Sequence, residues 1–356
     1  MKIKKFIGLD LPTGACNLRC EYCYVGNKGK LKEFPYTMEQ MKKAFSLERL
    51  GGICFINICG DGEPTMNPIT LPLIEFFLRD GHYVMLLTNG TLTSEFDNIL
   101  SLDDSLLGRL FFKISFHYRE LKKRGLLDKV FHNVERIKKS PCSLTVEYIT
   151  SDEDVEQIVE MKELCMKKMH ALPQLNIPRD ERKHNLGVVS KCSLENYYKL
   201  WDDQKFNSEF FEFRRQFFGK KYDDYCYTGE RQIWVNLATG FSHQCYHTPP
   251  LQDFMGEIDK PIRWLAVGNN CTEQHCYVTH SHITLGIVPY PEYADYRPTY
   301  ADIRNRICTD GTEWVKPIYK EAFKQGVEQK IHSTLKKKLV NVMNMLLRMY
   351  RREYSL

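Results

Sequence analysis

The strongest constraint on this chain is a rhythm that runs through its first half. Apolar, strand-like runs at 5–11, 53–59, 83–88, 110–116, 144–149 and 171–177 alternate with helical patterns at 37–50, 71–79, 93–100, 126–139 and 152–169. Thr37 with Gln40 spells a capping box at the head of the first helix, and Ser151 with Asp154 resembles a weaker one. Six strands separated by five helices imply right-handed βαβ units and a parallel sheet, open or rolled into a barrel, which is the α/β class. Folds of this kind gather their chemistry in the loops at the carboxyl ends of the strands.

After about residue 179 the rhythm changes. Residues 193–225 are aromatic and charged and read as helical. From 226 to 290 short strands and loops carry four cysteines, with a hairpin across 233–245 that turns near 238–240. Leu335, Leu339, Val342, Leu346 and Met349 recur at helical spacing near the end. The expected organisation is a barrel over 1–180, a helical linker over 181–225, a small cysteine-bearing domain over 226–290 and a helical extension over 291–356.

Composition narrows the function classes. A formal net charge of +5 in 356 residues does not argue for nucleic acid. The basic stretch 316–352 reads as a solvated helix face, expected to pack on the barrel or a second subunit rather than on a membrane; Lys336–Lys338 and Arg351–Arg352 flank an apolar stretch that would suit an amphipathic surface helix as the less favoured alternative. The best apolar candidate for a span, 339–347, is short and broken by Asn341 and Asn344. The basic start lacks the apolar segment of a secretory signal, so a cytoplasmic location is expected. In a reducing compartment, 13 cysteines suggest metal ligands rather than a disulfide framework.

Three of those cysteines stand directly after the first strand, in Cys16-Asn-Leu-Arg-Cys20-Glu-Tyr-Cys23. Three thiolates within eight residues suit a small soft-metal centre such as an iron–sulfur cluster. With only three protein ligands, one iron of a [4Fe–4S] cluster would stay open. A zinc site or a set of buried thiols is the alternative.

The segment resembles the CxxxCxφC signature of the radical S-adenosylmethionine (SAM) superfamily, with Tyr22 as the aromatic φ. The resemblance covers about residues 5–180 and implies a partial (β/α)6 barrel. It also implies a [4Fe–4S] cluster on Cys16, Cys20 and Cys23 whose open iron chelates the amino and carboxylate groups of SAM. Reductive cleavage of SAM would then yield a 5′-deoxyadenosyl radical that abstracts a substrate hydrogen, with an electron donor such as flavodoxin or ferredoxin.

Gly60-Asp-Gly-Glu63-Pro64 falls where the family has a Gly-Gly-Glu motif beside the SAM amino group, with Asp61 as a departure. Gly60 and Gly62 would permit a tight turn, and Glu63 would accept from the ammonium. Asn89, closing the third strand, and Ser115, near the end of the fourth, match positions that contact SAM in the family. Asp10, His117 and Glu147 near the strand ends are the candidates for an acid or base.

Cys226, Cys245, Cys271 and Cys276 are enough to saturate a metal. They resemble the SPASM-type extension in its shortened twitch form, which carries an auxiliary [4Fe–4S] cluster. The spacing of Cys271 and Cys276 is wider than usual, and Cys192 or Cys308 is a possible replacement ligand. A structural zinc site, with His275 or His243 as substitutes, is the competing reading. Cys54, Cys59, Cys142 and Cys165 fall in strand or helix patterns and are expected in the core. His280 and His282 would share one side of an extended segment. Asp302, Arg304 and Arg306 stay ambiguous.

The implied activity is an oxidoreductase acting on a small polar, sugar-like metabolite. A start so close to the barrel is expected to leave no room for a peptide-recognition domain. A peptide- or protein-modifying maturase is the runner-up, and a non-catalytic iron–sulfur or zinc protein the third reading.

Overall fold

The computed structural model describes residues 2–23, 26, 29–180, 187–291, 296–328 and 330–353. Six strands appear in the expected places: β1 (Phe6–Leu11), β2 (Phe55–Gly60), β3 (Tyr83–Thr88), β4 (Leu110–Phe116), β5 (Ser143–Ile149) and β6 (Gln174–Asn176). Each pairs in parallel with the next. β6 is shorter than the apolar run that marks it because Pro173 and Pro178 bracket it, and proline brings no N–H to a ladder.

The helix expected over 37–50 is two helices. Thr37 and Gln40 do form the capping box of Met38–Ala44, but Ser46 then caps a separate turn, Leu47–Leu50, by accepting from the Arg49 N–H. The pattern at 152–169 likewise begins as a 3-10 turn, Asp152–Gln157, before the α-helix Ile158–Met169.

A short antiparallel pair, β7 (Arg179–Asp180) and β8 (Gly187–Val188), follows β6. The helices Leu194–Asp203 and Glu209–Phe217 occupy the aromatic stretch. β9 (Gln232–Asn236) and β10 (Phe241–His243) make the expected hairpin, with Gly240 at φ 81° in its turn, and β11 (Pro250–Asp253) adds to β10. The hairpin also joins the main sheet, because β9 pairs in parallel with β1. Among the described residues nine strands therefore form one open sheet, ordered β11-β10-β9-β1-β2-β3-β4-β5-β6. The architecture is α/β with a mostly parallel, unclosed sheet, as a partial barrel requires. At the β1–β9 seam the Trp234 ring packs over Gly8, where a Cβ would lie 2.0 Å from the indole.

The two faces of the sheet differ. Ile7, Leu9, Ile56, Ile58, Val84, Leu86, Phe112 and Ile114 point to the helix-covered side. On the other side Phe6, Phe55, Tyr83, Met85 and Phe111 are capped by residues from 285–327, Tyr300, Tyr319 and Phe323 among them. Side chains alternate along a strand, so the same face continues toward the carboxyl ends as Asp10, Asn57, Cys59, Lys113, Ser115 and Glu147. It passes from aromatic to polar over two residue pairs, and that polar end is where the motif loops meet.

Candidate functional site: two cysteine loops around the open end of the sheet

The loop 12–23 leaves β1 and folds back over the ends of β2 and β3. Asp61 anchors its first half: the carboxylate accepts the N–H groups of Thr13 and Gly14, each at 2.7 Å, and ion-pairs with Lys32. These partners hold the Asp61 carboxyl below its ordinary range even though burial opposes them. The departure from Gly-Gly-Glu thus serves to shape the cysteine loop. Gly60 and Gly62 let the loop approach; a Cβ on Gly62 would lie 2.1 Å from the Ala15 carbonyl oxygen, and the Glu63 N–H donates to that same oxygen at 2.8 Å.

Glu63, the residue expected to accept from an ammonium group, is 2% exposed, and its carboxylate accepts from four protein donors. Oε1 accepts from the Thr65 N–H at 3.2 Å and from the Thr65 and Thr88 hydroxyls at 2.6 Å each; Oε2 accepts from the Asn89 N–H at 2.7 Å. Burial raises its pKa, and the four donors oppose that rise. Glu63 is a brace between β2 and β3. Asn89, held by it, donates from Nδ2 to Asn17 Oδ1 at 2.8 Å and points the same amide at Cys16 Sγ, 3.9 Å away.

The second half of the loop is tied down partly by Asn17, Thr91 and Glu120, which carried no signal of their own, and partly by the Tyr22–His117 pair. Asn17 donates to Thr91 Oγ1 at 2.7 Å, and the Arg19 N–H to Glu120 Oε1 at 2.8 Å. The Tyr22 hydroxyl meets His117 Nδ1 at 2.8 Å. Burial pushes His117 down to about 4, so at neutral pH it is an uncharged ring. Cys16 and Cys20 are half-buried and Cys23 is exposed. Burial, then the neighbouring Cys16, pushes the Cys20 thiol up to about 12. Three such thiols ionise together only when something positive sits among them, which is the chemistry of a metal cluster.

The acid and base candidates separate in the structure. Glu147 is buried in a network: Oε2 receives Lys113 Nζ at 3.0 Å and Asn176 Nδ2 at 2.8 Å, and Arg214 donates to Asn176 Oδ1. The lone lysine inside the apolar run of β4 was the available sign of this network. Ser115 lies opposite Glu147 in the β4–β5 register. Asp10 differs, since among the described residues no group donates to its carboxylate. Burial, then Asp61, raises it to about 6. Cys59, expected in the core, is half-buried at the open end near Asp10, whereas Cys54, Cys142 and Cys165 are core residues.

Cys226, Cys245, Cys271 and Cys276 are brought together. All four line one cavity of about 380 Å³, with His275, His282 and Thr228 in its wall. Burial, then nearby groups that include the other three thiols, pushes Cys245 well above its ordinary range. Cys192 and Cys308 are not in the wall: the first is exposed and the second sits in the main core. His243 turns to the Thr248 carbonyl, 2.7 Å from Nδ1. Among the described residues no three His, Cys, Asp or Glu side chains converge as they would around a single metal ion.

His280 and His282 do not share a side, because Thr279–Thr284 is a helix and residues two apart diverge by about 200°. His282 lies 3.5 Å from Cys276 Sγ, while His280 stacks edge-on against Phe210. Arg304 is buried over the Tyr300 ring, and Arg306 ties the carbonyls of Pro173, Phe206 and Asn207 together.

Residues 11–165 match the family described as the Radical SAM superfamily. That match spans under half of the chain and takes in the cysteine loop and β2 to β5. None of the curated proteins compared with it matches in sequence. Among solved structures, Streptococcus suis SuiB bound to S-adenosylmethionine is similar, with a TM-score of 0.50 and 13% identity over 74% of this chain and 67% of SuiB. Native anSMEcpe with bound AdoMet and Cp18Cys peptide gives 0.47 and 19%, over 96% of this chain and 99% of that one. BtrN in complex with AdoMet and 2-DOIA gives 0.34 and 13%, over 74% and 89%. At these identities the likeness to SuiB concerns the fold. The radical SAM family implies a [4Fe–4S] cluster and SAM, and the thiol chemistry of the 12–23 loop fits such a cluster.

Proposed function

We propose that this chain is a radical SAM oxidoreductase acting on a small polar substrate, with an auxiliary [4Fe–4S] cluster at its second cysteine group. When bound, the first cluster with SAM supplies a hydrogen-abstracting 5′-deoxyadenosyl radical, and the second an electron acceptor. Cys16, Cys20 and Cys23 would hold the first cluster, and Cys226, Cys245, Cys271 and Cys276 the second. The protein's part is to orient and to exclude water. Glu63 fixes Asn89, Asn89 steadies Cys16, and the Tyr22–His117 pair presents an uncharged surface. Asp10, raised to about 6 at the open end of the sheet and outside the wall of the cavity described next, is the candidate general base.

The observation that carries the substrate class is a second cavity, of about 410 Å³. Its wall includes Cys20 and Tyr22 and is otherwise mostly charged or polar, with Glu21, Arg119, Lys123, Asp152, Asp154 and Lys191. Its size and lining suit a compact, hydroxyl- or amine-bearing molecule better than an extended apolar peptide.

Metal content and SAM cleavage together test the reading. Anaerobically reconstituted protein should hold about eight irons with matching sulfide and release 5′-deoxyadenosine when reduced with SAM. Cys245→Ala should fall to about four irons and still cleave SAM; Cys20→Ala should lose cleavage altogether. Cleavage retained by Cys20→Ala would overturn the first assignment. Zinc, or an unchanged iron count in Cys245→Ala, would overturn the second.

A further inference from the structure

The terminal helix Thr334–Glu353 is docked with its polar side inward. Asn344, 5% exposed, donates to the Ala266 carbonyl at 2.8 Å and accepts from Gln244 at 3.0 Å. Asn341 accepts from the Asn269 N–H, and Arg348 and Arg351 donate to the carbonyls of Asn270 and Pro250. Val340 and Leu347 add a small apolar contact with Tyr225, Tyr227 and Leu265. The asparagines that interrupt the apolar pattern in the sequence are therefore the docking residues.

The apolar side faces out. Leu335, Leu339, Val342, Met345, Leu346 and Met349 are 47% to 79% exposed. At 100° per residue they fill an arc of about 120°, broader than the narrow seam of a coiled coil. Six large apolar side chains standing out from one helix form a larger patch than the scattered apolar residues usual on a monomer's surface. Exposed Lys338 stands within this arc, between Met345 and Met349, and exposed Lys336 stands beside it.

We propose that this face is a docking surface for an anionic lipid membrane, on which the helix lies flat. Charge decides among the occupants. Lys336 and Lys338 stand exposed with the apolar face, and the sequence from Lys330 to Arg352 holds no acidic residue to offset them. A second copy would bring cations against cations, whereas an anionic surface complements them. Shape agrees, because a single convex helix offers a plane of apolar side chains and no groove for a peptide. Lysines in and beside the apolar arc reach the headgroup level while their stems lie along the acyl boundary. The helix does not cross the bilayer: none of the described helices is long and apolar enough to do so. The proposal is independent of the oxidoreductase reading.

Vesicle flotation of the full-length reconstituted protein tests it. The chain should float with vesicles of phosphatidylcholine and phosphatidylglycerol in a roughly two-to-one ratio, and bind pure phosphatidylcholine at least about tenfold more weakly. Lys336→Gln with Lys338→Gln should weaken binding by about fivefold per lysine. Leu339→Glu with Leu346→Glu should abolish flotation while SAM cleavage and the circular dichroism spectrum are unchanged, since both side chains point to solvent. Failure to float with the anionic vesicles would overturn the proposal, as would flotation that survives the paired glutamates. A dimer in sedimentation velocity that those glutamates dissolve would also overturn it, by showing that a second copy covers the face.

Discussion

The backbone N–H of Asn89 donates to Oε2 of Glu63 at 2.7 Å, tying the end of β3 to the turn after β2. Through this one bond the Glu63 carboxylate supports an amide that reaches the first cysteine of the motif. The cysteine loop is thereby positioned by the sheet as well as by its own sequence.

Replacing that carboxylate should damage both stability and chemistry. Glu63→Gln puts an amide donor among four groups that already donate, and should cost about 2–3 kcal/mol. Urea denaturation measures the loss, and SAM cleavage should fall with it as Asn89 loses its anchor. Full stability with lowered cleavage would instead mean that Glu63 contacts the cofactor directly.

Gly62 is a steric requirement of the same turn. A methyl group there would meet the Ala15 carbonyl at 2.1 Å, backbone against which nothing flexible can give way. Gly62→Ala should lower stability by about 1–3 kcal/mol and reduce iron retained after reconstitution. Thermal melting and iron assay check the two effects separately.

Asp10 carries a pH signature. Its folded-state pKa of about 6 lies above the ordinary 3.8, so ionisation works against the fold. Stability from this group is fully present below the ordinary value and is lost as pH rises through about 6. Asp10→Asn should therefore match the parent near pH 4 and exceed it near pH 7.5, by on the order of 2 kcal/mol. Urea midpoints at the two pH values decide it; a variant less stable at both would show that the carboxylate makes a stabilising bond. If Asp10 accepts the substrate proton, the more stable variant should also be the less active one.

Asn344 should hold the terminal helix in place. Asn344→Ala leaves the carbonyls of Ala266 and Val267 without its amide donor and Gln244 without its acceptor, at a cost of about 1–3 kcal/mol. The loss should be local. Hydrogen exchange should quicken across 334–353 and over the loop 265–271, while the strands β1 to β5 keep their protection.

Much of this protein was legible in the sequence because it rests on local rules. The βαβ alternation, the capping box at Thr37 and the hairpin around Gly240 follow from periodicity and turn chemistry within a few residues. Cys16, Cys20 and Cys23 lie inside eight residues, so their proximity needs no tertiary information. Pro173 and Pro178 were equally readable as the limits of β6.

Tertiary structure decided what depends on distant partners. The inward turn of Glu63 needs Thr88 and Asn89, which reach it from the next strand. The joining of Cys226, Cys245, Cys271 and Cys276 around one cavity depends on β9 finding the free edge of β1, more than 200 residues earlier in the chain. The orientation of the last helix was decided there too: periodicity locates an apolar stripe without saying which side is buried. Asn341 and Asn344 bond backbone groups of Ala266, Val267 and Asn269, and those bonds turned the leucines toward solvent.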